Sequence, residues 1–121
     1  MRFGTAQLVA FVATTDLDRA REFYEGVLGL TVTGIDPFAW VFDAGGTTLR
    51  VTKVAELRPH PFTVLGWQVP DIDVAVAATP VTFLRFDGMD QDERGIWTAP
   101  GGAKVAWFAD PDGNTLSFSQ H

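Results

Sequence analysis

Apolar and polar positions alternate between two regimes along the chain. Residues 7–13 form an apolar, β-prone run that stops at Thr14-Thr15-Asp16. From Leu17 the spacing turns helical, with Leu17, Ala20, Phe23, Tyr24 and Leu28 on one stripe. Asp16, or Thr15 one position earlier, carries a side-chain oxygen suited to capping the first turn. Gly26 and Gly29 punctuate the end of the helix. Residues 30–33, 38–43 and 47–53 read as short strands, the last two joined by Ala44-Gly45-Gly46. The first half therefore predicts the order β-α-β-β-β.

The second half repeats that order. Residues 62–69 read as a strand, Asp71-Ile72-Asp73 opens a short helix, and Thr79-Pro80 must end it. Residues 81–86 read as a strand, 88–95 as a polar loop and 96–98 as a further short strand. A hairpin of 104–109 and 115–120 turns at Asp110-Pro111-Asp112-Gly113-Asn114. Three matches recur in the same order: Asp16-Leu17-Asp18 with Asp71-Ile72-Asp73, Ala39-Trp40-Val41-Phe42 with Ala106-Trp107-Phe108-Ala109, and Thr48-Leu49-Arg50-Val51 with Thr115-Leu116-Ser117-Phe118. The order marks an internal duplication. We expect one domain over residues 1–121, built of modules at about 6–54 and 61–120.

The aspartate-led helix start Thr15-Asp16-Leu17-Asp18, the Phe23-Tyr24 pair before Val27-Leu28-Gly29-Leu30, and the late Phe108-Ala109-Asp110-Pro111-Asp112-Gly113-Asn114 turn resemble those of the vicinal oxygen chelate superfamily. That superfamily includes glyoxalase I, extradiol dioxygenases and bleomycin-resistance proteins. The resemblance covers nearly the whole chain and departs from it in a second helix shorter by about a turn or more. It implies an α+β fold of two βαβββ modules, with a curved mixed sheet around a cavity and helices on the outer face. It also implies a homodimer, as in the bleomycin-resistance branch. Metal-dependent members place one ligand in the first and one in the last strand of each module, using His, Glu or Gln.

Carried onto this chain, those four places read Val9, Arg50, Val64 and Ser117. Two are hydrocarbons, one is a permanent cation, and one is a neutral hydroxyl that binds a metal poorly alone. Gln7, near Val9, is the donor that a register shift would bring in. His60, between two prolines, reads as an exposed loop residue, and His121 as a frayed terminus. Asp110, Asp112 and Asn114 lack the spacing and closing Glu of a calcium loop. No metal and no cofactor is expected.

Composition narrows the remaining chemistry. The chain has no Cys, which excludes disulfides, thiolate metal sites and a cysteine nucleophile. Its two serines, Ser117 and Ser119, stand in no nucleophile elbow, and no Gly-rich phosphate loop is present. Nine Lys and Arg are scattered in a chain of net charge −6, against the clustered cations that nucleic acid or an anionic membrane requires. The run Leu8 to Ala13 is too short to span a bilayer. We expect a soluble cytoplasmic protein.

Ten Phe and four Trp supply pocket and core material. If Pro111-Asp112-Gly113 forms a three-residue hairpin loop, Trp107 lies opposite Ser117. If Ala44-Gly45-Gly46 does the same, Trp40 lies opposite Arg50. Phe42, Thr48 and Thr115 then share those faces. Gln68 and Gly66 share the face of Val64, and Phe11 that of Val9, while Trp67 points toward the helix. The expected ligand-binding set is thus Arg50, Trp40, Trp107, Ser117, Phe42, Val9, Val64 and Gln68. Arg50 would hold a ligand carboxylate or phosphate, or else stack on Trp40 or pair with Glu22 or Asp43.

The leading expectation is a metal-free small-molecule-binding protein taking an aromatic or amphipathic ligand in a Trp-lined cavity. A glyoxalase-like lyase or dioxygenase-like enzyme, using Gln7, Gln68 or His121, is the alternative. A structural domain with its concave face filled by side chains is the third.

Overall fold

Parallel pairing of β1 (Val9–Thr14) with β4 (Thr47–Lys53), and antiparallel pairing of β4 with β3 (Ala39–Ala44) and of β3 with β2 (Thr31–Asp36), build a four-stranded mixed sheet of order β1-β4-β3-β2. The structure, a computed structural model, describes residues 2–121. A second four-stranded sheet, of order β5-β8-β7-β6, uses β5 (Thr63–Gln68), β6 (Trp97–Thr98), β7 (Lys104–Ala109) and β8 (Thr115–Gln120). Each sheet lies in its own unit, Met1–Leu57 or Arg58–His121, and each unit runs β-α-β-β-β. Among the described residues no helix is long and apolar enough to cross a membrane.

The duplication extends to the helix caps. Asp16 caps α1 (Leu17–Arg21) from φ −145°, ψ 104°, its carboxylate accepting from the Arg19 amide. Asp71 caps α2 (Ile72–Ala78) from φ −144°, ψ 107°, accepting from the Asp73 and Val74 amides. A carboxylate here satisfies amides that a helix start leaves without partners and meets the positive end of the helix dipole.

The first helix does not stay α-helical through Leu28. Glu22–Val27 forms a wider π-helical turn, in which the Leu28 amide donates to the Phe23 carbonyl. Gly29, at φ +73°, then ends the helix, its amide donating to the Glu25 carbonyl. Only glycine takes that left-handed conformation without cost. Phe23 and Tyr24, adjacent in sequence, are both buried and meet edge to face at 5.1 Å.

Each helix closes the core on one face of its sheet. In the first unit Ala20, Phe23 and Tyr24 are buried together with Phe42, Leu49 and Val51. In the second, Ile72 and Val76 are buried with Ala106, Phe108, Leu116 and Phe118. Each large side chain so buried contributes about 1.5–3 kcal/mol.

The expected strand at 81–86 is absent as a regular strand, and β6 holds the edge position beside β7 instead. The Leu84 amide donates to β7 at the Trp107 carbonyl. The neighbouring backbone is satisfied by a side chain: Gln91 donates to the Leu84 and Gly95 carbonyls and accepts from the Phe86 amide. A single amide group thus replaces the ladder partner that apolar alternation alone suggested.

Candidate functional site

The hairpin between β3 and β4 decides what the first sheet exposes. Ala44 pairs Thr47, so the loop is the two residues Gly45-Gly46, at φ +66° and +93°. Two successive positive φ values are what a primed two-residue turn needs, and its twist suits the strands better than the expected three-residue loop. The register therefore moves by one: Trp40 faces Val51, and Arg50 faces Val41. A one-residue shift exchanges the faces of a sheet. Trp40 and Phe42 accordingly lie on the helix-covered face, both buried, and do not share the face of Arg50.

Trp40 does carry an arginine, but a different one. The Arg21 guanidinium sits 4.3 Å from its ring centre. The Trp40 Nε1–H is buried without an acceptor.

On the opposite, open face, Arg50 stands beside Phe11 on β1 and Val41 on β3. Its Nη2 donates to Asp36 Oδ2 at 2.9 Å. Asp36, rather than Glu22 or Asp43, is thus its acidic partner. The other oxygen of Asp36 accepts the Phe38 amide at 2.8 Å. The Phe38 N–H first, and the Arg50 guanidinium second, hold the Asp36 carboxyl below the usual carboxylate range. An open depression of about 520 Å³ is lined here by Phe11, Val12, Ala13, Arg50 and Thr52. Phe11 is 64% exposed and Val9 40%, large apolar side chains on the edge strand of the sheet.

In the second unit, the register of the late hairpin matches the spacing argument. Trp107 pairs Ser117, and Ser117 pairs Gly66 on β5. Asp110 fixes the turn, one oxygen accepting the Asp112 and Asn114 amides and the other the Asn114 side chain. Gln68 lies on the same face through Ser119 and is exposed. Val64 is the unpaired residue of a bulge between Thr63 and Leu65. Gly66 is there for closeness: a Cβ on it would stand 2.9 Å from Ser117 Oγ. Trp107 meets Trp97 at 6.1 Å and Phe86 edge-on at 5.4 Å.

Three residues of these faces escaped the sequence argument. Asp36 was legible as an acid before Pro37 at a hairpin, where a two-residue loop pairs it with Ala39, on the same face as Val41. Trp97 and Phe86 had no such signal, because both flank a loop whose path the Gln91 side chain sets.

The four residues that the resemblance puts at metal-ligand places do not suit a divalent cation. Val9 and Val64 offer hydrocarbon, Arg50 is a cation engaged with Asp36, and Ser117 offers one hydroxyl. Among the described residues no three His, Cys, Asp or Glu side chains gather as a metal site would require. The Gln7 side-chain amide donates to the Gly46 carbonyl. His60 is exposed and stacks on Phe62 at 5.0 Å, and His121 is exposed beyond the end of β8.

The family model described as Glyoxalase/Bleomycin resistance protein/Dioxygenase superfamily matches residues 6–118. Among solved structures, a glyoxalase/bleomycin resistance protein/dioxygenase superfamily member from Sphaerobacter thermophilus is 21% identical, with TM-score 0.73 over 97% of this chain and 98% of that one. A glyoxalase/bleomycin resistance protein/dioxygenase from Alicyclobacillus acidocaldarius is 20% identical, with TM-score 0.69 over 100% and 95%. A lactoylglutathione lyase from Agrobacterium tumefaciens is 17% identical, with TM-score 0.68 over 96% and 93%. At these identities the likeness is one of fold. No protein with a curated description matches.

Proposed function

The chain belongs to the glyoxalase/bleomycin resistance protein/dioxygenase superfamily, and from that premise we propose that it is a metal-free small-molecule-binding protein, taking an aromatic or amphipathic ligand against the open face of the first sheet. One observation carries this reading. An open depression beside Arg50 keeps an exposed aromatic, Phe11, and the resemblance puts the metal-ligand places at Val9, Arg50, Val64 and Ser117, whose side chains suit a cation poorly. A concave apolar surface with few polar groups is the usual make-up of a ligand site. Arg50 supplies hydrogen-bond donors, Phe11 and Val9 supply apolar contact, and Thr52 adds a hydroxyl. In the second unit Trp107, Ser117, Gln68 and Val64 are proposed as ligand contacts because Trp107, Ser117 and Gln68 share one face, on which Trp107 meets Trp97 and Phe86 and Gln68 is exposed. Trp40 and Phe42 act behind the first face, as its packed support.

The same proposal treats residues 1–121 as one domain working as a cytoplasmic homodimer. The edge strand β1, with Val9 and Phe11 exposed and Leu8 exposed just before it, supports a second copy alongside. Native mass spectrometry should find twice the 13.2 kDa chain mass; a monomer at all concentrations refutes the dimer.

Binding is tested with 2-naphthamide, a neutral aromatic probe, by isothermal titration calorimetry. Phe11→Ala should weaken it about tenfold, the equivalent of roughly 1.4 kcal/mol of lost aromatic contact. Titration with Zn²⁺, Ni²⁺, Mn²⁺ and Fe²⁺ should give neither stoichiometric binding nor a rise in melting temperature. One tightly held ion per chain overturns the metal-free reading.

A further inference from the structure

The open face of the first sheet holds one cation and two carboxylates: Arg50 on β4, Asp36 on β2 and Asp43 on β3. Arg50 is the cation that a ligand beside Phe11 would meet, and it is already engaged. Its Nη2 reaches Asp36 Oδ2 at 2.9 Å, although β3 lies between their two strands. The guanidinium is therefore drawn across the sheet, away from the edge strand that carries Phe11.

Asp36 cannot readily follow an incoming ligand. Its Oδ1 accepts the Phe38 amide at 2.8 Å, closing a local turn around Pro37, whose ring fixes φ. Both carboxylate oxygens are thus occupied, one by the chain's own hairpin and one by Arg50. Asp43 adds a second negative charge to the face, its Oδ1 held by the Gly46 amide at 2.9 Å.

From this arrangement we infer that Asp36 is the specificity-determining residue of the first-sheet face: a built-in counter-ion to Arg50 that admits neutral, carbonyl-bearing aromatic ligands and turns away aryl carboxylates. The inference deepens the ligand-binding reading above and rests on it. An aryl carboxylate would either displace Asp36 from Arg50 or sit as an added anion beside it. In the first case one charge-assisted hydrogen bond is exchanged for another, and in the second the like charges repel. A neutral carbonyl needs only one N–H. A guanidinium has five such donors, so Arg50 can serve it without releasing Asp36. The Phe11 ring and the Thr52 hydroxyl, both lining the depression, suit the aromatic body and the polar end of such a ligand.

Asp36→Asn tests this role. The asparagine oxygen still accepts the Phe38 amide, so the turn is kept, while the negative charge facing Arg50 is removed. The probes are 2-naphthamide and 2-naphthoate, measured by calorimetry at neutral pH and low salt. The native protein should bind the amide about tenfold more tightly than the carboxylate. D36N should gain about tenfold for the carboxylate, a gain that added NaCl removes, and change by less than about twofold for the amide. Adding Arg50→Gln to D36N should abolish the gain.

A melting curve establishes that D36N is folded; if it is not, Asp36→Ser, which also retains a local acceptor, takes its place. If the amide binds and the preference is the same in both proteins, the role of Asp36 is overturned and the ligand site stands. If neither probe binds either protein, the ligand-binding reading falls, and this inference with it.

Discussion

Gly66 and Ser117 face each other across β5 and β8 at a distance that leaves no room for a methyl group, since a Cβ at 66 would lie 2.9 Å from Ser117 Oγ. Gly66→Ala should cost about 1–3 kcal/mol, the range for overpacking a tight site. Ser117→Ala removes the obstructing oxygen, so the double variant should recover most of that loss in urea melts. Full additivity of the two changes would show that the glycine serves something other than this approach. Asp36 offers a second single-residue test. Its folded pKa lies below the ordinary 3.8, lowered first by the Phe38 amide and then by Arg50. A lowered carboxyl stabilises the fold above the unfolded value, and the contribution is lost as pH falls through the folded value. In an NMR titration, Arg50→Gln should raise the Asp36 midpoint only part of the way toward 3.8, because the Phe38 amide remains. An unchanged midpoint would mean that the ion pair does not persist in solution.

At the scale of elements, the turns carry more information than the strands they join. Gly45 and Gly46 both have positive φ, and a Cβ at Gly45 meets nothing within 4 Å. Gly45→Asn should therefore raise stability by about 0.4–1 kcal/mol, since asparagine accepts this conformation and narrows the unfolded ensemble. A loss of stability would contradict the two-residue turn. That same turn explains why the candidate site was only half legible. Asp16 and Asp71 as caps, and Trp107 opposite Ser117, follow from local chemistry and loop length, and the structure has them. The side of the sheet that Trp40 faces depended on whether Ala44 belonged to loop or strand, a choice of one residue that composition does not make. The path of 81–97 was less legible still, because it depends on one side chain. Gln91→Ala removes three hydrogen bonds, and at about 1 kcal/mol each the second unit should lose roughly 2–3 kcal/mol. Faster hydrogen exchange at the Phe86 amide would locate the loss, and unaltered exchange there would deny Gln91 its role.

For the whole molecule, size bears on the proposal that residues 1–121 act as one domain. The two units, Met1–Leu57 and Arg58–His121, each fall near the 60-residue length at which a folded chain buries only about 60% of its unfolded surface and is marginally stable. Each also holds its own sheet and its own buried leucine, Leu49 in the first and Leu116 in the second. Neither unit alone has the surface-to-volume ratio that makes larger domains robust, so a single cooperative transition is expected of the chain. Leu49→Ala and Leu116→Ala should each cost about 2–5 kcal/mol, as buried leucines do when a cavity replaces them. Each substitution, though confined to one unit, should lower the melting temperature of the entire protein. Calorimetry decides the matter: equal calorimetric and van't Hoff enthalpies in both variants support one domain. A thermogram that splits, with Leu49→Ala moving only one peak and Leu116→Ala only the other, would show two independently folding modules, each carrying its own open face.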